Sequence, residues 1–231
     1  LIFINQLDCV SKMNKLLTSM FALAVASVTA FSAHAQEIKG DAKAAEQKIA
    51  MCIGCHGIKG YQASFPEIYR VPMISGQNAK YIVSALTAYQ KGERKHPTMR
   101  GISASLTDQD MADLAAYYEV HGKTEPVAKA PKAPDAKVAA LLQKGACISC
   151  HGDNFSKPVD PSYPKIAGQH KDFLFVALKS YKVENQATWG RNNGVMGGIA
   201  KQFSNAELKA MAGYIGSLDG DMKVVPQSKL R

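Results

Sequence analysis

The chain has 231 residues, 46% hydrophobic and 20% charged, which excludes a disordered polar chain and suits one large domain or two of roughly 100 residues each. Its formal net charge is +9, but the basic residues form no focused stripe, so nucleic acid is not an expected partner. Five cysteines are few enough that their placement matters more than their count.

The first segment reads as an export signal. Met13-Asn14-Lys15 opens a short basic region, Leu16 to Phe31 is almost wholly apolar or small, and Ala33-His34-Ala35 has the small-x-small form of a signal-peptidase site. The apolar run is too short to span a bilayer with ease. Residues 1–12, with Cys9, precede Met13 and read as upstream sequence. Cleavage after Ala35 would leave four cysteines, Cys52, Cys55, Cys147 and Cys150, and the expected location is the periplasm.

A first helix is expected over 41–50, with Asp41 as its N-cap. It leads into Cys52-Ile53-Gly54-Cys55-His56-Gly57. After a loop comes Pro72-Met73-Ile74-Ser75-Gly76-Gln77, then a second helix over 78–90, where Ile82, Ala85, Leu86 and Tyr89 follow i, i+3, i+4, i+7. Met99 is expected in a loop with small or polar neighbours. A third helix opens at Thr107-x-x-Asp110, a capping box, and presents Met111, Leu114, Ala115 and Tyr118 on one face.

Residues 124–134 contain three prolines and no large apolar residue beyond Val127, and read as an extended linker. The pattern then returns. A helix over 135–144 is capped by Asp135, and Cys147-Ile148-Ser149-Cys150-His151-Gly152 repeats the first motif at an offset of 95. Pro164-Lys165-Ile166-Ala167-Gly168-Gln169 matches at 92, and Met196-Gly197-Gly198-Ile199 matches Met99-Arg100-Gly101-Ile102 at 97. The helix over 170–182 carries Leu174, Ala177, Leu178 and Tyr181. The last helix opens on a second capping box, Ser204-x-x-Glu207, and presents Leu208, Met211, Ala212 and Ile215. No stretch shows strand alternation, so the expected class is all-α. The expected division is an upstream and signal segment at 1–35, domains at 36–123 and 135–231, and the linker at 124–134.

Two cysteines three apart at a helix start can each bond a haem vinyl group, and the histidine that follows can reach the iron. Two such motifs, in register with a whole-domain repeat behind an export signal, point to two covalently attached haem c groups. Paired Cys-x-x-Cys zinc ligands usually lie about 15–20 residues apart, against 95 here. A thioredoxin-like motif expects a strand before it, and two local disulfides would leave both histidines without a purpose. His56 and His151 are therefore candidate iron ligands. Met99 and Met196, the methionines that pair across the repeat, are the candidate second ligands. His96, His121 and His170 lack histidine partners and read as surface residues. A ligating histidine commonly donates its other ring N–H to a carbonyl. Pro164 is the candidate in the second copy. In the first, Pro72 is preferred to Pro66.

These residues resemble the class I cytochromes c, and their arrangement resembles the dihaem cytochrome c4 family over nearly the whole chain beyond the signal. The resemblance implies two cytochrome c folds packed face to face, with haem propionates near the interface. It also implies shuttling between periplasmic or membrane-bound redox partners, often a terminal oxidase. The chain departs from the pattern at Ile68-Tyr69-Arg70-Val71, an apparent insertion before Pro72.

With His and Met on each iron no position would be open to substrate, so the expected role is single-electron transfer rather than catalysis. The expected donor is a quinol-oxidising complex or a dehydrogenase, and the expected acceptor is a terminal oxidase. The alternative is an electron-accepting subunit of a periplasmic dehydrogenase complex. Residues 41–122 carry nine Lys/Arg against eight Asp/Glu, and residues 136–220 ten against six. The second domain is thus the expected face for an acidic redox protein or, through peripheral association, an anionic membrane surface.

Overall fold

A computed structural model describes residues 38–123 and 132–226. The expected signal segment, with Cys9 and His34, and linker residues 124–131 lie outside the described residues.

The first repeat opens on a 3-10 turn at Ala44–Gln47. It continues through α1 (Ala50–His56), β1 (Gln62–Ala63), β2 (Tyr69–Arg70), α2 (Ala79–Lys91), β3 (Arg94–Lys95), α3 (Pro97–Ala104) and α4 (Asp108–Val120). The second runs through α5 (Ala136–Lys144), α6 (Ile148–His151), α7 (Lys171–Ser180), β4 (Gly190–Arg191), α8 (Gly194–Ala200) and α9 (Asn205–Ile215). The class is all-α as expected. Among the described residues the four strands have two residues each, too few for an alternating pattern to register in sequence.

Both capping boxes form. Thr107 accepts from the Asp110 N–H while Asp110 accepts from the Thr107 N–H, and Ser204 and Glu207 do the same. Asp135 caps α5 by accepting from the Val138 N–H at 2.8 Å. Asp41 does not cap a helix. Its carboxylate turns onto the Lys43 N–H at 2.8 Å, and its own N–H donates to Asp113 Oδ1 at 2.7 Å. That local turn anchors the chain to α4, and the α-helix of the first repeat starts only at Ala50.

Each repeat packs its last long helix against its middle one: α2 on α4, and α7 on α9. The apolar faces read on α4 and α9 are buried throughout, whereas Ala85 and Leu86 on α2, and Leu178 on α7 with Tyr181 just after it, are only half-buried. Ile82, Met111, Leu114, Ala115 and Tyr118 form one core; Leu174, Leu208, Met211, Ala212 and Ile215 form the other, with Val138, Leu141 and Phe203.

The repeats meet in a junction with approximate two-fold character. β3 and β4 pair antiparallel across it, with Arg94 opposite Arg191 and Lys95 opposite Gly190. The apparent insertion before Pro72 supplies β2, which rests on α7. The Tyr69 ring lies 6.1 Å from that of Phe173, and Arg70 donates to Asp172 Oδ2 from Nε at 2.9 Å and from its N–H at 3.2 Å. Beyond α9 the tail crosses to the first repeat, where the Lys223 N–H donates to the Ser75 carbonyl at 3.1 Å.

Candidate haem-binding sites

Cys52, Cys55 and His56 lie on α1, the cysteines at i and i+3 and so on one helix face. In the second repeat Cys147 is the N-cap of the short α6, and Cys150 and His151 follow within its single turn. The break between α5 and α6 is marked by Ala146 at φ 47°. No disulfide joins Cys52, Cys55, Cys147 or Cys150, and each is half-buried.

Burial pushes the Cys52 thiol up to about 11 and raises that of Cys147. A redox-active Cys-x-x-Cys needs the opposite shift, because the thiolate is the nucleophile. Among the described residues no three His, Cys, Asp or Glu side chains converge as a metal cluster, so the two cysteine pairs do not share a zinc site.

His56 Nδ1 lies 2.7 Å from the Pro72 carbonyl, and His151 Nδ1 lies 3.1 Å from that of Pro164. A carbonyl oxygen only accepts, so Nδ1 carries the proton in both rings and Nε2 keeps its lone pair. Burial lowers the pKa of both imidazoles; for His56 the carbonyl bond opposes this, and the charges of Arg94 and His96 add to it. Two neutral histidines, each fixed in the tautomer that frees Nε2, fit an iron porphyrin on the adjacent cysteines. Pro72, rather than Pro66, is thus the proline that orients His56.

Met99 and Met196 do not sit in loops. Each lies in the first turn of a short helix, α3 or α8, and its N–H donates to the residue that caps that helix: His96 Nδ1 at 3.4 Å, Asn193 Oδ1 at 2.9 Å. Pro97 at the first helical position helps start α3. His96 is therefore half-buried and part of a feature common to both repeats, with Asn193 as its equivalent. His121 and His170 are not surface residues either. His121 is bonded to Ser75 Oγ at 2.9 Å and stacked 4.7 Å from the Tyr117 ring, and His170 is the half-buried N-cap of α7.

Sequence reasoning assigned no role to Arg94 and Arg191, although they share the offset of 97 that relates Met99 to Met196. They line an open pocket at the junction, together with His96 and Trp189. Arg94 Nε and Trp189 Nε1 are buried there without a partner. Donors of this kind in a cationic pocket suit carboxylates, and each haem brings two as propionates.

Two like helical units, each with a Cys-x-x-Cys-His turn and a carbonyl-tethered histidine, define a tandem c-type cytochrome. The family model for cytochrome c matches twice, over residues 42–119 and 136–219. Cytochrome c4 of Stutzerimonas stutzeri is 31% identical over 221 residues, covering 89% of this chain and all of that one. This chain belongs to the dihaem cytochrome c4 family and carries two covalently attached haem c groups. The crystal structure of reduced recombinant cytochrome c4 from Pseudomonas stutzeri matches with a TM-score of 0.57 at 27% identity, over 78% of this chain and 100% of that one. A thiosulfate dehydrogenase electron acceptor of Stutzerimonas stutzeri is 30% identical over 203 residues, covering 83% of this chain and 89% of that one. The chain is thus an electron-transfer cytochrome with redox proteins as its partners.

Proposed function

We propose that this chain is a periplasmic carrier passing single electrons between partners of a respiratory chain, toward a terminal oxidase, and that it transforms no substrate. Cys52 and Cys55 would hold one haem by thioether bonds, with His56 and Met99 as its iron ligands. Cys147 and Cys150 would hold the other, with His151 and Met196. The observation that carries this reading is the matched pair of histidines, each following a Cys-x-x-Cys and each fixed at Nδ1 by a proline carbonyl.

Each haem supplies a one-electron Fe(III)/Fe(II) couple. The protein's part is to hold and tune it. Pro72 and Pro164 fix the imidazoles, His96 and Asn193 hold the turns that bear the thioethers, and the apolar faces of α2 and α7 keep water out. With a histidine and a methionine on each iron, neither would be left open to a small molecule.

The proposed donor is a quinol-oxidising complex or a dehydrogenase, with the more basic second domain as the docking face, at a partner or peripherally at a membrane. Among the described residues no helix is long and apolar enough to cross a membrane. Residues 1–35 serve as the upstream and export segment, and the domains span 36–123 and 135–231 about the linker at 124–134. The likeness to a thiosulfate dehydrogenase electron acceptor supports a second reading, an acceptor subunit of a periplasmic dehydrogenase complex.

Haem determination on purified protein is expected to give two per chain, and one per chain would overturn the assignment. A pull-down from membranes and periplasm separates the two readings. Recovery with an oxidase or quinol-oxidising complex supports the carrier; recovery with a catalytic dehydrogenase supports the subunit.

A further inference from the structure

The peptide group between Pro72 and Met73 is engaged at both ends. Its carbonyl accepts from His56 Nδ1 at 2.7 Å, and its N–H donates to Gln169 Oε1 in the other domain at 3.0 Å. The peptide group between Pro164 and Lys165 repeats this in reverse. Its carbonyl accepts from His151 Nδ1 at 3.1 Å, and its N–H donates to Gln77 Oε1 at 2.9 Å. Each glutamine also returns a bond from Nε2, Gln169 to the Met73 carbonyl and Gln77 to the Lys165 carbonyl, both at 2.9 Å. Each amide therefore grips one residue of the opposite domain at two points, as a strand neighbour would. Both glutamines are almost fully buried, 4% and 3% exposed, and both Nε2 atoms meet the sulfur of Met222, at 3.2 Å from Gln77 and 3.7 Å from Gln169.

We propose that Gln77 and Gln169 are positioning residues for the histidine of the opposite domain, each acting through a single peptide group. The inference rests on the ligation by His56 and His151 proposed above. Its physical basis is cooperativity. An amide whose N–H is bonded to an acceptor has a more basic carbonyl, and buried chains of such bonds polarise one another. A stronger carbonyl acceptor draws the Nδ1 proton and makes the imidazole a better electron donor at Nε2. Donation to iron favours the oxidised state. Gln169 thus holds down the potential of the haem on Cys52 and Cys55, and Gln77 does the same for the haem on Cys147 and Cys150. The contacts that join the domains are also the contacts that tune them, and they cross.

The test is a redox titration of the dihaem protein with each haem followed by its own resonances. Gln169→Met keeps the length of the side chain and removes both hydrogen bonds. It is expected to raise the potential of the Cys52/Cys55 haem and leave the Cys147/Cys150 haem nearly unmoved. Gln77→Met is expected to give the mirror image. An equal rise at both haems is general loosening of the junction and overturns the proposal, as do a shift confined to the mutated domain and no shift at all. If a methionine variant does not mature, Gln169→Glu replaces it; this retains an acceptor for the Met73 N–H, and the Cys52/Cys55 potential must then stay level or fall. The wild-type spectrum keeps the two hypotheses apart. A high-spin wild type defeats the proposed ligation, whereas two low-spin haems with unmoved potentials in the variants defeat only the crossed tuning.

Discussion

Arg94 stands directly opposite Arg191 in the antiparallel pair that joins the two domains. Like charges facing each other across strands destabilise one another, so this pair needs compensation. Part of it is aromatic. Arg94 lies 4.6 Å from the centre of the Tyr89 ring and donates to the Tyr81 hydroxyl at 3.1 Å. Arg191 lies 5.3 Å from the centre of the Tyr181 ring and 5.6 Å from that of Phe173, and donates to the Tyr181 hydroxyl at 3.4 Å. Haem propionates near the junction, as the resemblance to cytochrome c4 implies, would supply the rest.

Removing either cation should therefore favour the more positive, oxidised iron. Arg94→Gln and Arg191→Gln are expected to lower the midpoint potentials by tens of mV, where about 59 mV is a tenfold change for one electron. A redox titration at low and high salt checks this. Arg94, whose Nε is buried, should show the weaker salt dependence, because buried charge is screened less.

Met196→Ala is expected to abolish the weak sulfur-to-iron absorption band of one haem and to lower its potential. Asn193→Ala keeps the thioether but removes the cap from the helix that bears it, at a cost of about 1 kcal/mol. The band should then survive at low temperature and fade earlier on heating than in the wild type. An unchanged spectrum in Met196→Ala would remove that residue as a ligand.

Gly76 and Gly168, the glycines before the two crossed glutamines, have φ of 86° and 71°. A Cβ on Gly76 would stand 2.7 Å from the Asp221 carbonyl oxygen, and one on Gly168 would stand 2.9 Å from that of Leu218. Gly76→Ala and Gly168→Ala carry both backbone strain and a clash, and each should cost about 2 kcal/mol or more. Gly60 has φ 77° but open space around its Cβ position, so Gly60→Ala isolates the strain. Urea midpoints of the three variants should separate accordingly.

Burial lowers the pKa of His96, His121 and His170 below 6.5. In each case the unfolded chain binds a proton near 6.5 that the folded chain refuses, so stability is full above that pH and declines as pH falls through it. A second decline follows in acid. The bond to Lys48 and those to Thr107 hold Asp110 at about 2 instead of 3.8, and that contribution disappears between those values. Melting temperature is expected to drop from pH 7 to pH 5, with net proton uptake on unfolding. A flat profile over that range would contradict the assignment of neutral histidines.

The readable parts of the fold were those set by local rules. The capping boxes at Thr107 and Ser204, the faces of α4 and α9, and the choice of Pro72 over Pro66 all followed from spacing and repeat alignment. The start of the first repeat did not, because Asp41 finds its partner in Asp113, 72 residues away. The helices around Met99 and Met196 were hidden by glycines that suggest a loop, although Pro97 was a start signal in plain view. The junction was the least legible part. Gln77 and Gln169 stood out as a repeated residue pair, but their bonds to Lys165 and Met73 span 88 and 96 residues, and no local pattern encodes those partners.

The tail that delivers Met222 to both glutamines also lays Val225 against Gly122, where an added Cβ would meet Val225 Cγ2 at 2.4 Å. The first repeat thus borrows its lid from a segment that follows the second. A premature stop codon after Gly220 would spare every element of the second repeat, yet strip the cover from Ser75, Gly76 and Gln77. Damage there would be felt in a domain that begins nearly two hundred positions earlier.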